Sequence, residues 1–180
     1  MSHLGKKPIS IPASVIVTED GQHLTVTGPK GELSLKLPLH LGLKKDNDSI
    51  SLSCLSPSRQ ARCDHGTFRA HLKNMIQGVS EGWAKSLEVV GTGYKAEKNQ
   101  DQVILNVGFI HPVKITIPAG LDVQIDAGKI TINGADKYQV GQLAAKIYDV
   151  RRPDSYQGKG VLYSGQKLKL KPGKAAKTAA

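Results

Sequence analysis

The 180 residues suffice for one ordinary domain or two small ones, and a 39% hydrophobic content allows a core even though aromatics are only 4%. No run of 18 apolar residues offers a membrane span, MSHLGKKPIS lacks the apolar centre of a secretory signal, and two cysteines make no disulfide framework. The net charge is +10, and its placement matters more than its size: residues 151–180 hold eight Lys/Arg against one Asp, whereas residues 83–150 hold seven of each sign. Such asymmetry points to a polyanionic partner.

In chain order, SVIVTEDGQHLTVTG alternates apolar and polar residues on both sides of Asp20-Gly21, the pattern of a β-hairpin. ELSLKLP and SISLSC read as further strands. A helix follows, with Ser56 as its cap and Pro57 in the first turn. Phe68, Leu72, Met75, Ile76 and Val79 form its apolar stripe, and Arg62, Arg69 and Lys73 a neighbouring face. SLEVVGTGYKAEKNQDQVILNVG supplies more strands, and Pro112 marks a sheet edge or a strand start. LDVQIDAGKITING repeats the hairpin design around Ala127-Gly128. A second helix is expected with a capping box at Asp136 and Gln139, an apolar stripe of Val140, Leu143, Ala144 and Ile147, and an end before Pro153.

Two segments match at an offset of 106: ISIPA at 9–13 with ITIPA at 115–119, and LTVTG at 24–28 with ITING at 130–134. They imply a duplication. The expected fold is α+β: two similar tandem domains, each an antiparallel β-sheet packed on one α-helix. Boundaries are expected at 1–82 for the first domain and 83–174 for the second, with a flexible basic tail at 175–180.

Catalytic patterns are weak. Cys54, Cys63, His65 and His71 lack zinc-ligand spacing and read as a core cysteine and surface histidines. GTGYKA at 91–96 lacks the third glycine of a dinucleotide loop and reads as a turn between strands. No catalytic residue, metal or cofactor is expected. A zinc- or cysteine-dependent enzyme acting on nucleic acid and a protein-interaction module whose basic end binds an acidic protein are the rival readings.

The stretch SYQGKGVLYSGQKLKLKPGK at 155–174 carries the chemistry. Arg151 and Arg152 suit phosphate oxygens, and Lys159 between Gly158 and Gly160 offers an ammonium beside backbone that can approach a phosphate closely. Tyr156 and Tyr163 either stack on a base or pack under the loop. Lys167, Lys169 and Lys171 project to one side of an extended segment, with Leu168 and Leu170 on the other and Lys174 beyond. This arrangement favours folded RNA read by shape and backbone.

INGADKYQVGQLAAKI at 132–147 and RRPDSYQGKGVLY at 151–163 resemble the C-terminal signature of the bacterial large-subunit ribosomal protein six family. MSHLGKKPI, HGTFRAHLKNMIQGV and VGFIHPV are similar to its other segments. The resemblance implies a non-catalytic structural constituent of the cytoplasmic ribosome, not a homo-oligomer, that binds 23S rRNA with 83–174 as its main RNA-binding domain. It implies a place near the stalk base, with ribosomal proteins and translation factors as neighbours. It also implies RNA contacts at Arg151, Tyr156, Gly158, Lys159 and Gly160, and by charge alone at Lys167, Lys169 and Lys171. The sequence departs from the family pattern at His3, Tyr148, Ser155, Gln157 and Leu162.

Overall fold

A computed structural model describes residues 2–46 and 49–173. The described residues form two compact units, one running to Trp83 and taking in Ala135–Lys137, the other holding Ala84–Gly134 and residues 138–173. Each is α+β.

The first unit is built from β1 (Ile9–Ser10), β2 (Ile16–Asp20), β3 (His23–Gly28), β4 (Gly31–Lys36), β5 (Leu41–Lys45), β6 (Ser49–Cys54) and α1 (Arg59–Ser80). Its strands make two antiparallel sheets, ordered β1-β6-β5 and β2-β3-β4. The expected hairpin is β2–β3, closing at Asp20↔His23, and Gly21 takes φ +60° in its turn. α1 packs on strands of both sheets and buries Leu72, Ile76 and Val79, while Phe68 and Met75 are partly buried against the same cluster. That cluster includes Leu24, Val26, Ile50 and Leu52.

The second unit holds β7 (Trp83–Val90), β8 (Lys95–Asn99), β9 (Gln102–Asn106), β10 (Val113–Thr116), β11 (Leu121–Asp126), β12 (Lys129–Gly134), α2 (Lys137–Val150) and β13 (Gly160–Tyr163). Its sheets run β10-β9-β8 and β11-β12-β7-β13. Ala127 and Gly128 both take positive φ, +45° and +85°, which fits the tight β11–β12 turn. β10 starts immediately after Pro112, at a sheet edge. α2 buries Val140, Leu143, Ala144 and Ile147 and ends three residues before Pro153.

The duplication stands, but its register differs from the expected offset of 106. The pairing Asp20↔His23 recurs 79 residues on as Asn99↔Gln102, and Leu41↔Cys54 recurs 80 residues on as Leu121↔Gly134. In that register β2–β6 correspond in order to β8–β12, and α1 to α2. An offset of 106 would put the counterpart of α1 beyond residue 164, where no helix is described. The false match has a physical origin. A strand ending in a proline turn occurs three times, with Pro12, Pro38 and Pro118 carbonyls accepting the N–H of Val15, Leu41 and Leu121. ISIPA matches ITIPA in letters, whereas LKLPL at 35–39 matches it in position.

Two further expectations are corrected. Ser58, not Ser56, caps α1: its Oγ accepts the Ala61 N–H at 3.1 Å, and Pro57 lies outside the helix. His65 is fully buried rather than at the surface, because it shares the apolar stripe of α1 with Ala61 and Leu72. Its Nε2 donates to the Leu52 carbonyl at 2.9 Å, and a Cβ on Gly5 would strike its ring. Ser58→Ala should therefore cost about 1 kcal/mol in chemical denaturation, and Ser56→Ala much less; the reverse order would return the cap to Ser56.

Candidate nucleic-acid interface

The candidate residues cluster where the chain leaves α2 and returns to the sheet. The return is a closed loop. The Val161 N–H donates to the Arg151 carbonyl at 2.9 Å and the Asp154 N–H to the Lys159 carbonyl at 3.0 Å. Within it, the Gln157 N–H donates to the Asp154 carboxylate and the Gly158 N–H to the Asp154 carbonyl, both at 2.9 Å. Asp154 thus organises the loop from its side chain and its backbone, an Asx-type turn that Asp followed by Gly four residues later announces. Its carboxylate is turned to the loop's own backbone while remaining exposed.

The two glycines have different work from that expected. Gly160 is buried, and a Cβ there would lie 2.6 Å from the Pro153 Cα and 2.9 Å from the Arg152 carbonyl oxygen, at a φ of +151°. It is glycine because the chain passes over its own backbone. Gly158, at φ +71°, has its N–H engaged and faces the methyl groups of Leu168 and Leu170. Both shape the loop instead of exposing free backbone donors.

Beyond Gly160, β13 pairs antiparallel with β7, matching Gly160 to Val90 and Tyr163 to Leu87. Val161 and Leu162 enter the core. The Tyr163 ring stacks on Tyr148 with centroids 5.1 Å apart, and the Lys85 ammonium lies 5.9 Å from its centroid. Tyr163 therefore packs, using one of the residues that departs from the family pattern. Leu162, another departure, is a core residue, and Ser155, a third, accepts the Lys171 N–H through its carbonyl at 2.9 Å. That bond folds Lys167–Lys171 back over the 154–158 turn. Leu168 is half-buried on the turn, whereas Leu170 stays 56% exposed.

The result is a cationic surface on a fixed frame. Lys167, Lys169 and Lys171 are exposed, Lys159 is half-exposed, and Tyr156 stands 59% exposed at the loop tip. Arg151 is exposed with its guanidinium 5.3 Å from the Phe109 ring centroid. Among the described residues no carboxylate lies within ion-pair distance of these cations, while Arg152 is held by Asp149 at 2.9 Å. Lys174 and the 175–180 tail lie outside the described residues. Lys85 and Phe109 were not singled out from sequence; each joins the surface only through folding, and neither carries a local signal.

Of the four cysteines and histidines near one another in sequence, Cys54 and His65 are engaged elsewhere. The Cys54 thiol donates to the Ala61 carbonyl, His65 holds Leu52, and Cys63 is exposed. GTGYKA forms the β7–β8 turn, with the Tyr94 N–H donating to the Gly91 carbonyl.

Comparison with known proteins agrees with this anatomy. A family profile described as Ribosomal protein L6 matches residues 11–82 and again 90–164, in the register of the structural duplication. The large ribosomal subunit protein uL6 of Hydrogenobaculum sp. (strain Y04AAS1) is 49% identical over 176 residues, covering 98% of this chain and 97% of its own. The uL6 of Caldicellulosiruptor saccharolyticus is 46% identical over 178 residues, 98% of each chain. That of Staphylococcus aureus (strain JH9) is 45% identical over 178 residues, covering 98% of this chain and all of its own. With both halves matched in order and nearly the full length aligned, this chain belongs to the ribosomal protein L6 family.

Proposed function

We infer that the chain is a non-catalytic structural component of the large subunit of the cytoplasmic ribosome, and that it holds folded 23S rRNA through the basic end of its second unit. The observation that carries this reading is the set of cations without a carboxylate partner, Arg151, Lys159, Lys167, Lys169 and Lys171, arrayed on the loop before β13 and the irregular segment after it, both held in place by backbone hydrogen bonds. A backbone fixed before binding loses little conformational freedom when phosphates neutralise the cations it carries. No element here is a base-reading helix. Contact with phosphate and sugar is the chemistry these side chains fit, with Tyr156 as a stacking partner at the loop tip. A site near the stalk base, beside other subunit proteins and the docking translation factors, extends the same reading; the chain acts there as a single copy.

Binding to a large-subunit rRNA fragment should weaken steeply with salt, each neutralised phosphate adding about −0.7 to −0.9 to the slope of log K against log[salt]. A flat response in filter binding would remove the electrostatic basis of the reading. Lys159→Glu should weaken binding and leave the melting temperature unchanged, whereas Lys36→Glu, at an exposed position of β4, should do little to either. Equal losses would mean diffuse attraction and no docked loop. Gly160→Ala should lower both affinity and stability, because it forces a Cβ into backbone at a φ that costs about 1–3 kcal/mol for other residues. Wild-type melting of that variant would show that the crossing at Pro153 is not tight.

A further inference from the structure

We propose that the first unit carries a second phosphate-binding surface, formed by the N-terminal segment Ser2–Lys7 laid against the outer stripe of α1, and that an RNA backbone occupies it. The inference rests on the rRNA reading above and adds a separate contact to it.

Positions 62, 66, 69 and 73 recur at steps of four, three and four, so they lie in one row along α1. Three of them are cations, and Arg59 stands one turn before the first. The fourth is Gly66, and its missing side chain admits the N-terminal segment: a Cβ there would lie 3.0 Å from Ser2 Oγ. The segment is fixed at further points. Arg69 Nε donates to the Lys7 carbonyl at 3.3 Å. Gly5 is buried over the His65 ring, and the Lys6 N–H closes a turn on the Ser2 carbonyl at 3.3 Å. Folding thereby adds Lys6 and Lys7, more than fifty positions away in sequence, to a row of three arginines and a lysine.

Among the described residues, no carboxylate lies within ion-pair distance of Lys6, Lys7, Arg59, Arg62, Arg69 or Lys73. α1 carries one carboxylate, Asp64, and it is held by His40 at 2.8 Å and Gln60 at 2.9 Å. Like charges held together repel in the free protein, and a polyanion relieves that cost. From Arg62 to Lys73 the row spans about 16 Å of helix, enough to follow several phosphates. A protein partner fits less well, because protein interfaces centre on clusters of aromatic or aliphatic anchors, whereas Leu4 is the single large exposed hydrophobic among the described residues of this segment and row. Arginine forks that grip phosphate oxygens fit it directly.

The test uses the full chain with Lys6→Gln, Arg62→Gln and Lys73→Gln together; Arg69 is spared because it pins Lys7. Affinity for large-subunit rRNA is measured across a salt series, beside wild type and Lys159→Glu. The triple variant should bind more weakly with a slope shallower by about 2–3, as expected for three lost phosphate contacts. A wild-type slope and affinity in the triple variant, with Lys159→Glu still impaired, would overturn the second surface and leave the first. Loss in neither variant would remove the rRNA reading and this inference together.

A second measurement needs no loss of charge. Cys63 is exposed beside Arg62, so a hydroxyl-radical probe tethered there, in a Cys54→Ala chain within large subunits, should cut nearby rRNA. Silence from Cys63 while a probe at Tyr156→Cys cuts, or cleavage of a neighbouring protein in place of RNA, would overturn the proposal.

Discussion

The pairing of β13 with β7 is the constraint on which the functional surface depends. Without it, the basic end of the chain would be a charged tail with the entropy of a free segment. With it, Val161 and Leu162 are pulled into the core, Lys159 is set at the mouth of a closed loop, and Lys171 is tied back to Ser155. The pairing is possible only because Gly160 lets the chain cross Pro153 at backbone distance. A steric fact at one residue therefore decides whether the cations act as an array or as a cloud.

The duplication explains how one architecture supplies two surfaces of different kinds. Strand for strand the units correspond, and buried positions correspond with them: Leu24 with Val103, Val26 with Leu105, Ile50 with Ile130. What differs is how the chain continues around each helix. In the second unit an added strand and a basic loop follow α2. In the first, a short N-terminal segment lies on α1. The shared core holds each unit's shape, and the segments outside it carry the charge.

Much of the fold was legible in sequence because it is encoded locally. Asp20-Gly21 and Ala127-Gly128 mark hairpins through the backbone conformations they permit, and the α1 stripe follows from helical spacing. The repeat was legible as a fact but not in register, since three proline turns compete and letter matching chose the wrong one. Two rules compete at the start of α1: Pro57 fits a first helical turn, yet Ser58 offers the acceptor for an N–H three residues on. Polarity alone puts His65 at the surface, whereas its helical phase and the gap left by Gly5 put it in the core.

The interface divides the same way. Its charge was plain from residues 151–180 alone, and so was the importance of Gly158 and Gly160. Their roles were not, because the Pro153 backbone, the Leu168 methyl groups and the Tyr148 ring are brought to them by folding. The most direct test of the central claim is sedimentation of a native lysate, following the chain through gradients before and after a high-salt wash. An integral rRNA-bound component should stay with the large subunit through the wash, because many fixed contacts must break together. Release at moderate salt, or absence from the large subunit, would contradict the account.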